Sequence, residues 1–404
     1  MTRPTPPAPA EVRRARVALS MLVEPGHRAL WSSVATHGPV RVLEGLLAGG
    51  FEGINSELQR ATEARRAWED PYQAAERALA HAHRVGARVV VPEDDEWPRQ
   101  LNDLRRLCTE GRGEFTRHAA PPLCLWVRGP LRLDEAFARS VAVVGARAAT
   151  SYGEYAAREI GYGLAERGWT VVSGGAYGID ACAHRGALAG GGVTVAVLAC
   201  GVDRAYPSGN ANLFDRISED GLLISEWPPG SDPFRHRFLI RNRVIAAATS
   251  GTVMVEAGAR SGARQTLRRA RRLGRAALVV PGPITSAMSV GCHEELREPE
   301  TRLVTGVDHI LEEVGRLGAD LAPIPRGPEH PRDRLDPPAR RLVEALRKRT
   351  PLTSEEVAAR AGVPLDDTRR ILPVLVLQGH ATTHPDGGYV LAPPAADPPR
   401  THHP

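Results

Sequence analysis

From residue 140 to residue 315 the chain repeats one unit, an apolar run, a glycine turn and a helical stretch, and this repeat limits the possible folds more than any other feature. The runs VAVVG, TVVSG, TVAVLACG, LLISE, TVMVEA and AALVVPG are nearly unbroken and rich in β-branched residues. A strand covered on both faces has this composition, because neither face needs polar side chains. Helical segments between such strands predict an α/β fold, an extended Rossmann-like, doubly wound, mostly parallel sheet. Its ligands should sit beyond the carboxyl ends of the strands.

The flanks read differently. Residues 12–84 alternate short helical runs with turns at EPGH and THGP, which fits either a plain helical bundle or a SAM-like, helix-hairpin-helix-like module that touches a nucleic-acid backbone. A sheet-bearing domain is expected over 85–316, entered through short β-like runs around ARVVV and LCLWVRG. Residues 317–335 are rich in proline and charge and too poor in apolar residues to fold alone, so they read as a linker. Over 336–393 three helices precede a hairpin turning at PDGG, the sequence shape of a winged helix, although Pro373 interrupts the third helix. Thr353 and Glu356 have the spacing of a capping box, and Gly362 should end that helix. A protein-docking module fits this region equally well, since its third helix offers Arg369 and Arg370 but little else that could reach base edges.

No apolar run approaches the roughly 18 residues that cross a bilayer, and the proline-bearing amino terminus reads as a disordered arm with too short an apolar segment for a secretory signal. A cytoplasmic protein is expected. The five cysteines are scattered, with no C-x-x-C pair for zinc or redox chemistry, and read as free buried thiols. A net charge of +5 on 404 residues does not by itself demand a polyanion. Lys348 is the only lysine, so arginine abundance reflects codon usage as much as function.

Two glycine turns carry the chemistry. In SGGAYGIDACAHRGAL the backbone leaves a strand and enters a helix near Asp180, and glycines there let a ligand approach backbone N–H groups at a helix amino end. In VAVVGARAATSYGEY, Gly145 ends a strand, Arg147 adds a full charge, and Thr150 or Ser151 can cap the next helix. Phosphate is the natural anion for both turns. Neither is G-x-G-x-x-G, and the second strand lacks a terminal acid for a ribose, which sets aside NAD and FAD; the P-loop pattern is also missing. Asp180 and His184 lie four apart on one helix face, but an aspartate capping N–H groups, braced by the histidine, is the better reading. Glu226 and Glu256 stand alone at strand ends. With no nucleophile in a recognisable setting, phosphate binding without hydrolysis fits best, with no catalytic residue, metal or cofactor.

Basic residues add to this. Arg235, Arg237, Arg241 and Arg243 fall within nine residues around a helix start, with Asn242 able to bond a base or sugar. In SGARQTLRRARRLGR, Arg264, Arg268, Arg271 and Arg275 share a face while Ala263, Leu267, Ala270 and Leu273 share another, so one face is cationic and one is core.

Taken in order, VAVVGAR, SGGAYGIDACAHRGAL, GVTVAVLACGVDRAYPSGN, LLISEWPPG, RNRVIAAAT and VMVEAGARSG followed by VVPG resemble the DprA/Smf family of bacterial DNA-processing proteins over roughly 87–314. The resemblance implies a homodimer without catalytic activity that binds single-stranded DNA and helps load the RecA recombinase onto it during natural transformation and recombination. It implies DNA contacts at Arg147, at the backbone of Ser173, Gly174 and Gly175, and at Arg241 and Arg243. Asn242 joins them from the reading above, and Arg185 or Arg264 would compensate for departures from the family pattern at FLIRNR, SGARQTL, GCHEEL and Val193. Two rivals remain. A Rossmann-like nucleotide phosphoribohydrolase would use a P-G-G-x-G-T-x-x-E turn, which SGTVMVEAG matches only superficially because TVMVE reads as the strand itself. A transcription regulator would bind a duplex site through the winged helix.

Overall fold

A computed structural model describes residues 8–49, 58–60, 63, 70–109, 118–315, 335–385 and 387–393. The chain divides into two compact units, Met1–Ala322 and Pro323–Pro404.

The first unit holds a nine-stranded sheet in the order β1-β2-β6-β5-β4-β3-β7-β8-β9. Its strands are β1 (Ala87–Val90), β2 (Leu125–Arg128), β3 (Ser140–Val144), β4 (Thr170–Ser173), β5 (Thr194–Leu198), β6 (Leu222–Ser225), β7 (Gly251–Met254), β8 (Ala276–Val279) and β9 (Thr301–Leu303). From β6 across to β9 every neighbouring pair is parallel, whereas β2 runs antiparallel to β6 and β1 antiparallel to β2. Chain order turns around at β3, which lies between β4 and β7, so the β3 and β7 ends flank the switch point where such sheets open a crevice.

The six β-branched runs are β3 to β8, and their alternation decides what covers each face. Val141 and Val143 join Ala157, Ile160 and Leu164 of α7 (Ser151–Glu166) and Ile179 and Ala183 of α8 (Ile179–Ala189). Ala142 and Val144 face the other way, against Val244, Ile245 and Ala248 of α10 (Arg235–Ala248) and Ala263 and Leu267 of α11 (Ala263–Arg272). Helices α7 and α8 approach so closely that a methyl group on Gly161 would strike the Ala183 carbonyl, and one on Gly186 the Arg158 carbonyl.

The short β-like runs before residue 130 are the antiparallel edge of this same sheet, not merely an entry to it. Helices α1 (Ala10–Leu22), α2 (Arg28–His37), α3 (Pro39–Leu47) and α4 (Pro71–Arg84) share a core with β1, β2, β5, β6 and α9 (Ala211–Asp220), built from Leu19, Leu30, Leu43, Trp126, Leu198 and Phe214. The bidentate pairs Arg13–Asp94 and Arg16–Glu93 tie α1 to the loop after β1. Strand β9 went unforeseen, because a three-residue strand with two exposed side chains has no apolar run to betray it.

The second unit packs α14 (Pro337–Ala345), α15 (Ser354–Ala361) and α16 (Leu365–Leu377) against a hairpin of β10 (Ala381–Thr383) and β11 (Tyr389–Leu391), around Leu342, Val357, Leu372, Leu375 and Ala381. Thr353 and Glu356 form the capping box, and Gly362 ends α15 at φ 61°, a left-handed conformation that favours glycine. The linker expected over 317–335 lies outside the described residues except for Leu335. Among the described residues no helix is long and apolar enough to cross a membrane.

Candidate nucleic-acid interface

The two glycine turns sit beside each other at the carboxyl edge, after β3 and β4, and each already holds an anion of its own. At the first, Thr150 caps α7 by accepting from the Gly153 N–H at 3.3 Å. The buried Glu256, just beyond β7, accepts from the Thr150 N–H at 2.9 Å and from the Thr150 hydroxyl at 2.6 Å. Gly153 has no room for a methyl group because the Glu256 carboxylate lies against it. The helix amino end that could have cradled a phosphate is therefore occupied by a side chain from across the switch point.

The second turn is closed in the same way. One carboxylate oxygen of Asp180 accepts from the N–H groups of Gly174 at 3.1 Å and Ala176 at 3.4 Å. The buried Arg241 side chain crosses from α10 and donates to the carbonyls of Gly174, at 2.8 Å, and Val197. Burial pushes the Asp180 carboxyl up, opposed by the Arg241 charge and the two amides. Burial also lowers Arg241, to about 10, with the Arg147 charge adding to the effect, so Arg241 stays a cation at neutral pH. A methyl group on Gly174 would strike the Arg241 guanidinium, and one on Gly175 (φ 69°) the Phe214 ring. Asn210 completes the brace, donating to the Gly175 carbonyl at 3.0 Å and accepting from Arg185 at 3.3 Å.

Above these closed turns is an open rim. Arg147 is exposed and has no ion-pair partner among the described residues; its guanidinium lies 5.1 Å from the centre of the Phe238 ring. Phe238 meets Tyr206 at 5.5 Å between ring centres, and Tyr206 and Tyr177 are each nearly half exposed, at 43% and 49%. Arg235 opens α10 after β6 and Arg260 follows β7; both are exposed, and neither has an ion-pair partner among the described residues. Loops after parallel strands gather at one edge, so these groups form a basic and aromatic border to the crevice.

Of the expected site residues, the structure brings together Arg147, Ser173, Gly174, Gly175, Arg185, Arg241 and Asn242. Their roles are unequal. Ser173 is buried, with its hydroxyl donated to the Val143 carbonyl at 2.6 Å. Asn242 is half-buried and accepts from Arg241 Nε at 3.1 Å. Arg243 is not at the crevice: it is fully buried, paired through both terminal nitrogens with Glu226 and bonded through Nε to the Ala120 carbonyl at 3.0 Å. Residues two apart on a helix point about 200° away from each other, so Arg241 and Arg243 cannot serve the same face. Arg264 is likewise committed, to the buried Glu295 at 2.8 Å and the Ala259 carbonyl at 2.6 Å, and Arg268 and Arg271 converge on the same carboxylate. The cationic face expected on α11 is thus largely an ion-pair cage around one residue of α12 (Val290–Leu296). Glu226 and Glu256 are not alone at their strand ends: Glu226 is paired with Arg243, and Glu256 accepts two hydrogen bonds from Thr150.

Sequence reasoning did not single out Phe238, Tyr206 or Tyr177. The available signal was the interleaving of aromatic and basic residues in DRAYPSGN and FRHRFLIRNR, with Phe238 one helical turn before Arg241.

His184 does not brace Asp180. Its Nδ1 bonds the Thr194 hydroxyl at 2.7 Å, and that hydroxyl donates to the Val171 carbonyl. Burial, helped by the Arg241 and Arg185 charges, lowers the imidazole to about 3, so the folded chain holds it neutral. The unfolded histidine takes up a proton near pH 6.5. This term is fully present above that pH and is lost as pH falls toward 3. Asp180, raised by burial, contributes with the opposite sign. Urea melts between pH 7.5 and 4.5 should therefore show stability falling with acid, and His184→Leu should flatten that fall. An unchanged slope would place the acid sensitivity elsewhere.

The sequence model of the DNA recombination-mediator protein A family matches residues 88–315. A Mycobacterium tuberculosis protein carrying the name DNA processing protein DprA is 45% identical over 351 residues, 87% of each chain. The Escherichia coli protein Smf is 37% identical over 276 residues, 67% of this chain and 71% of its own. The crystal structure of DNA processing protein A from Streptococcus pneumoniae superimposes with a TM-score of 0.57 at 29% identity, covering 76% of this chain and 99% of that one.

Proposed function

The chain belongs to the DNA recombination-mediator protein A family, and on that premise we propose that it binds single-stranded DNA along the carboxyl edge of its sheet and helps load a RecA-type recombinase onto the bound strand. The observation that carries this reading is Arg147, an exposed cation without an ion-pair partner among the described residues, lying over the Phe238 ring beside turns in which Glu256 and Asp180 already take the amides of Thr150, Gly174 and Ala176. A strand crossing this rim brings phosphates to Arg147, Arg235 and Arg260, with Arg185 beside them, and bases to the exposed rings of Tyr206 and Tyr177, with Phe238 against Tyr206. Only unpaired bases can stack on such rings, which favours single strands over duplex. Arginine contacts to phosphate carry no base code, so sequence preference is weak. In this reading Gly174, Gly175 and Arg241 shape the crevice floor and do not grip the phosphate themselves.

The protein acts as a binding protein and not as an enzyme. Glu256, the carboxylate a phosphoribohydrolase reading would enlist, is buried and holds the Thr150 cap, which supports a structural role. By family resemblance the chain works in the cytoplasm as a homodimer and assists RecA in displacing single-strand-binding protein. Residues 12–84 serve as the helical SAM-like module, 85–316 as the DNA-binding domain, 317–335 as the linker and 336–393 as a winged helix.

The test is a titration of labelled single-stranded and duplex oligonucleotides, with AMP as a third arm, at several salt concentrations. Single strands should bind more tightly at every salt, with a log-log slope of about −0.7 per neutralised phosphate. Equal affinity for duplex at matched salt would overturn the reading, and turnover of AMP that Glu256→Gln abolishes would restore the enzyme.

A further inference from the structure

In the second unit the arginines of the third helix are already answered by acids, whereas a run of cations before the second helix is not. On α16 the first turn carries Asp366 and Asp367. The Arg369 guanidinium donates to Glu355 at 2.6 Å and that of Arg370 to Asp367 at 2.7 Å, so both arginines are neutralised locally. Further along, the helix exposes Val374 and Leu377, the latter by 87%. A helix that reads a DNA groove leads with its amino-terminal turn, where two aspartates would meet the phosphates first.

At the other edge lies the segment between α14 and α15. Arg347, Lys348 and Arg349 are consecutive and exposed, with exposed Arg341 on the helix before them; none of the four has an ion-pair partner among the described residues. The segment is fixed in place. The Leu391 N–H of β11 donates to the Arg347 carbonyl at 2.9 Å, and Leu352 and Tyr389 exchange backbone hydrogen bonds at 3.1 and 2.8 Å, so the basic run leads straight into a third strand-like edge of the hairpin. Many acids elsewhere in the unit are occupied: Asp336 caps α14, Glu356 completes the capping box, and Glu355 and Asp367 hold arginines.

We propose that Arg347, Lys348 and Arg349, with Arg341, form a second nucleic-acid contact that docks on the phosphate backbone without reading sequence, while α16 stays out of the groove. Three consecutive cations span at most about 7 Å of chain. A DNA strand offers a phosphate about every 3.4 Å of helix axis, a density of negative charge that matches this run. The contact is independent of the Arg147 rim and adds reach to it, because two linked weak sites bind one long strand more tightly than either alone.

The experiment uses the full chain and compares Arg347→Gln/Lys348→Gln/Arg349→Gln with Arg369→Gln/Arg370→Gln and with the charge-retaining Arg347→Lys/Arg349→Lys. The probes are a long duplex, a long oligo-dT and a short oligo-dT able to occupy only one site, titrated across salt after thermal melting establishes that each variant is folded. The triple variant should flatten the log-log salt slope on long DNA by up to about 0.9 per lost contact on duplex and 0.7 on single strands. The Arg369/Arg370 variant and the charge-retaining variant should leave it unchanged. The proposal falls if the triple variant keeps the wild-type slope on long probes, if the Arg369/Arg370 variant loses more, if the charge-retaining variant loses as much, or if poly-glutamate competes as well as DNA of equal charge. Arg147→Ala run alongside separates the two sites: loss of the slope change with Arg147 intact overturns this contact, and an undiminished short-probe affinity in Arg147→Ala overturns the rim.

Discussion

Arg243→Ala is expected to destabilise the fold, not to free the protein from DNA. The side chain is fully buried and meets Glu226 through two parallel hydrogen bonds, one of them 2.7 Å long, with further bonds to the Ala120 and Ile240 carbonyls. Truncation leaves the Glu226 carboxylate buried without its partner, a loss that costs about 3 to 5 kcal/mol. Replacing both ends, as in Arg243→Met with Glu226→Leu, removes both charges at similar volume and should restore most of that stability. Urea midpoints for the two variants, together with DNA titration of whatever remains folded, check the assignment. A folded Arg243→Ala chain of normal stability that no longer binds single strands would mean the arginine leaves its core position to grip DNA.

The second large effect is the reverse case. Arg147→Ala should melt like the wild type, since an exposed side chain with no ion-pair partner among the described residues contributes little to folding. Its loss should weaken single-strand binding by about ten- to a hundredfold, the value of a well-placed charge-assisted bond of roughly 1.5 to 3 kcal/mol. Arg147→Lys retains the charge but not the flat guanidinium that lies over Phe238, and should fall between the two. Melting curves and titrations at one salt concentration separate these outcomes. Wild-type affinity in Arg147→Ala would remove the rim from the binding surface.

The contrast between Arg243 and Arg147 shows where sequence reading succeeds and where it stops. Strands β3 to β8 were legible because a doubly covered strand must be apolar throughout, and the glycine turns because only glycine fits against Arg241, Phe214 and Glu256. The core face of α11 followed from helical period alone, and Ala263, Leu267, Ala270 and Leu273 are all buried. Ion-pair partners were not legible. Glu226 meets Arg243 only because β6 ends beside α10, Glu295 collects three arginines only because α12 returns beneath α11, and Thr194 takes His184 from the neighbouring strand. The 200° separation within RNR follows from helical arithmetic and assigns its two arginines to opposite faces.

The carboxylates of Glu256 and Asp180 also bear on what the cell's small metabolites can do to this protein. A group tethered in register reaches its partner without the cost of bringing two molecules together, an advantage that a dissolved molecule lacks. A free nucleotide therefore competes at a disadvantage for the amides that Glu256 and Asp180 already hold, and it brings too few charges to hold the outer arginines by itself. A polymer brings many at once. The molecule should thus be deaf to the rise and fall of nucleotide pools, including the surges that accompany DNA breakdown, and respond only when an intact strand arrives.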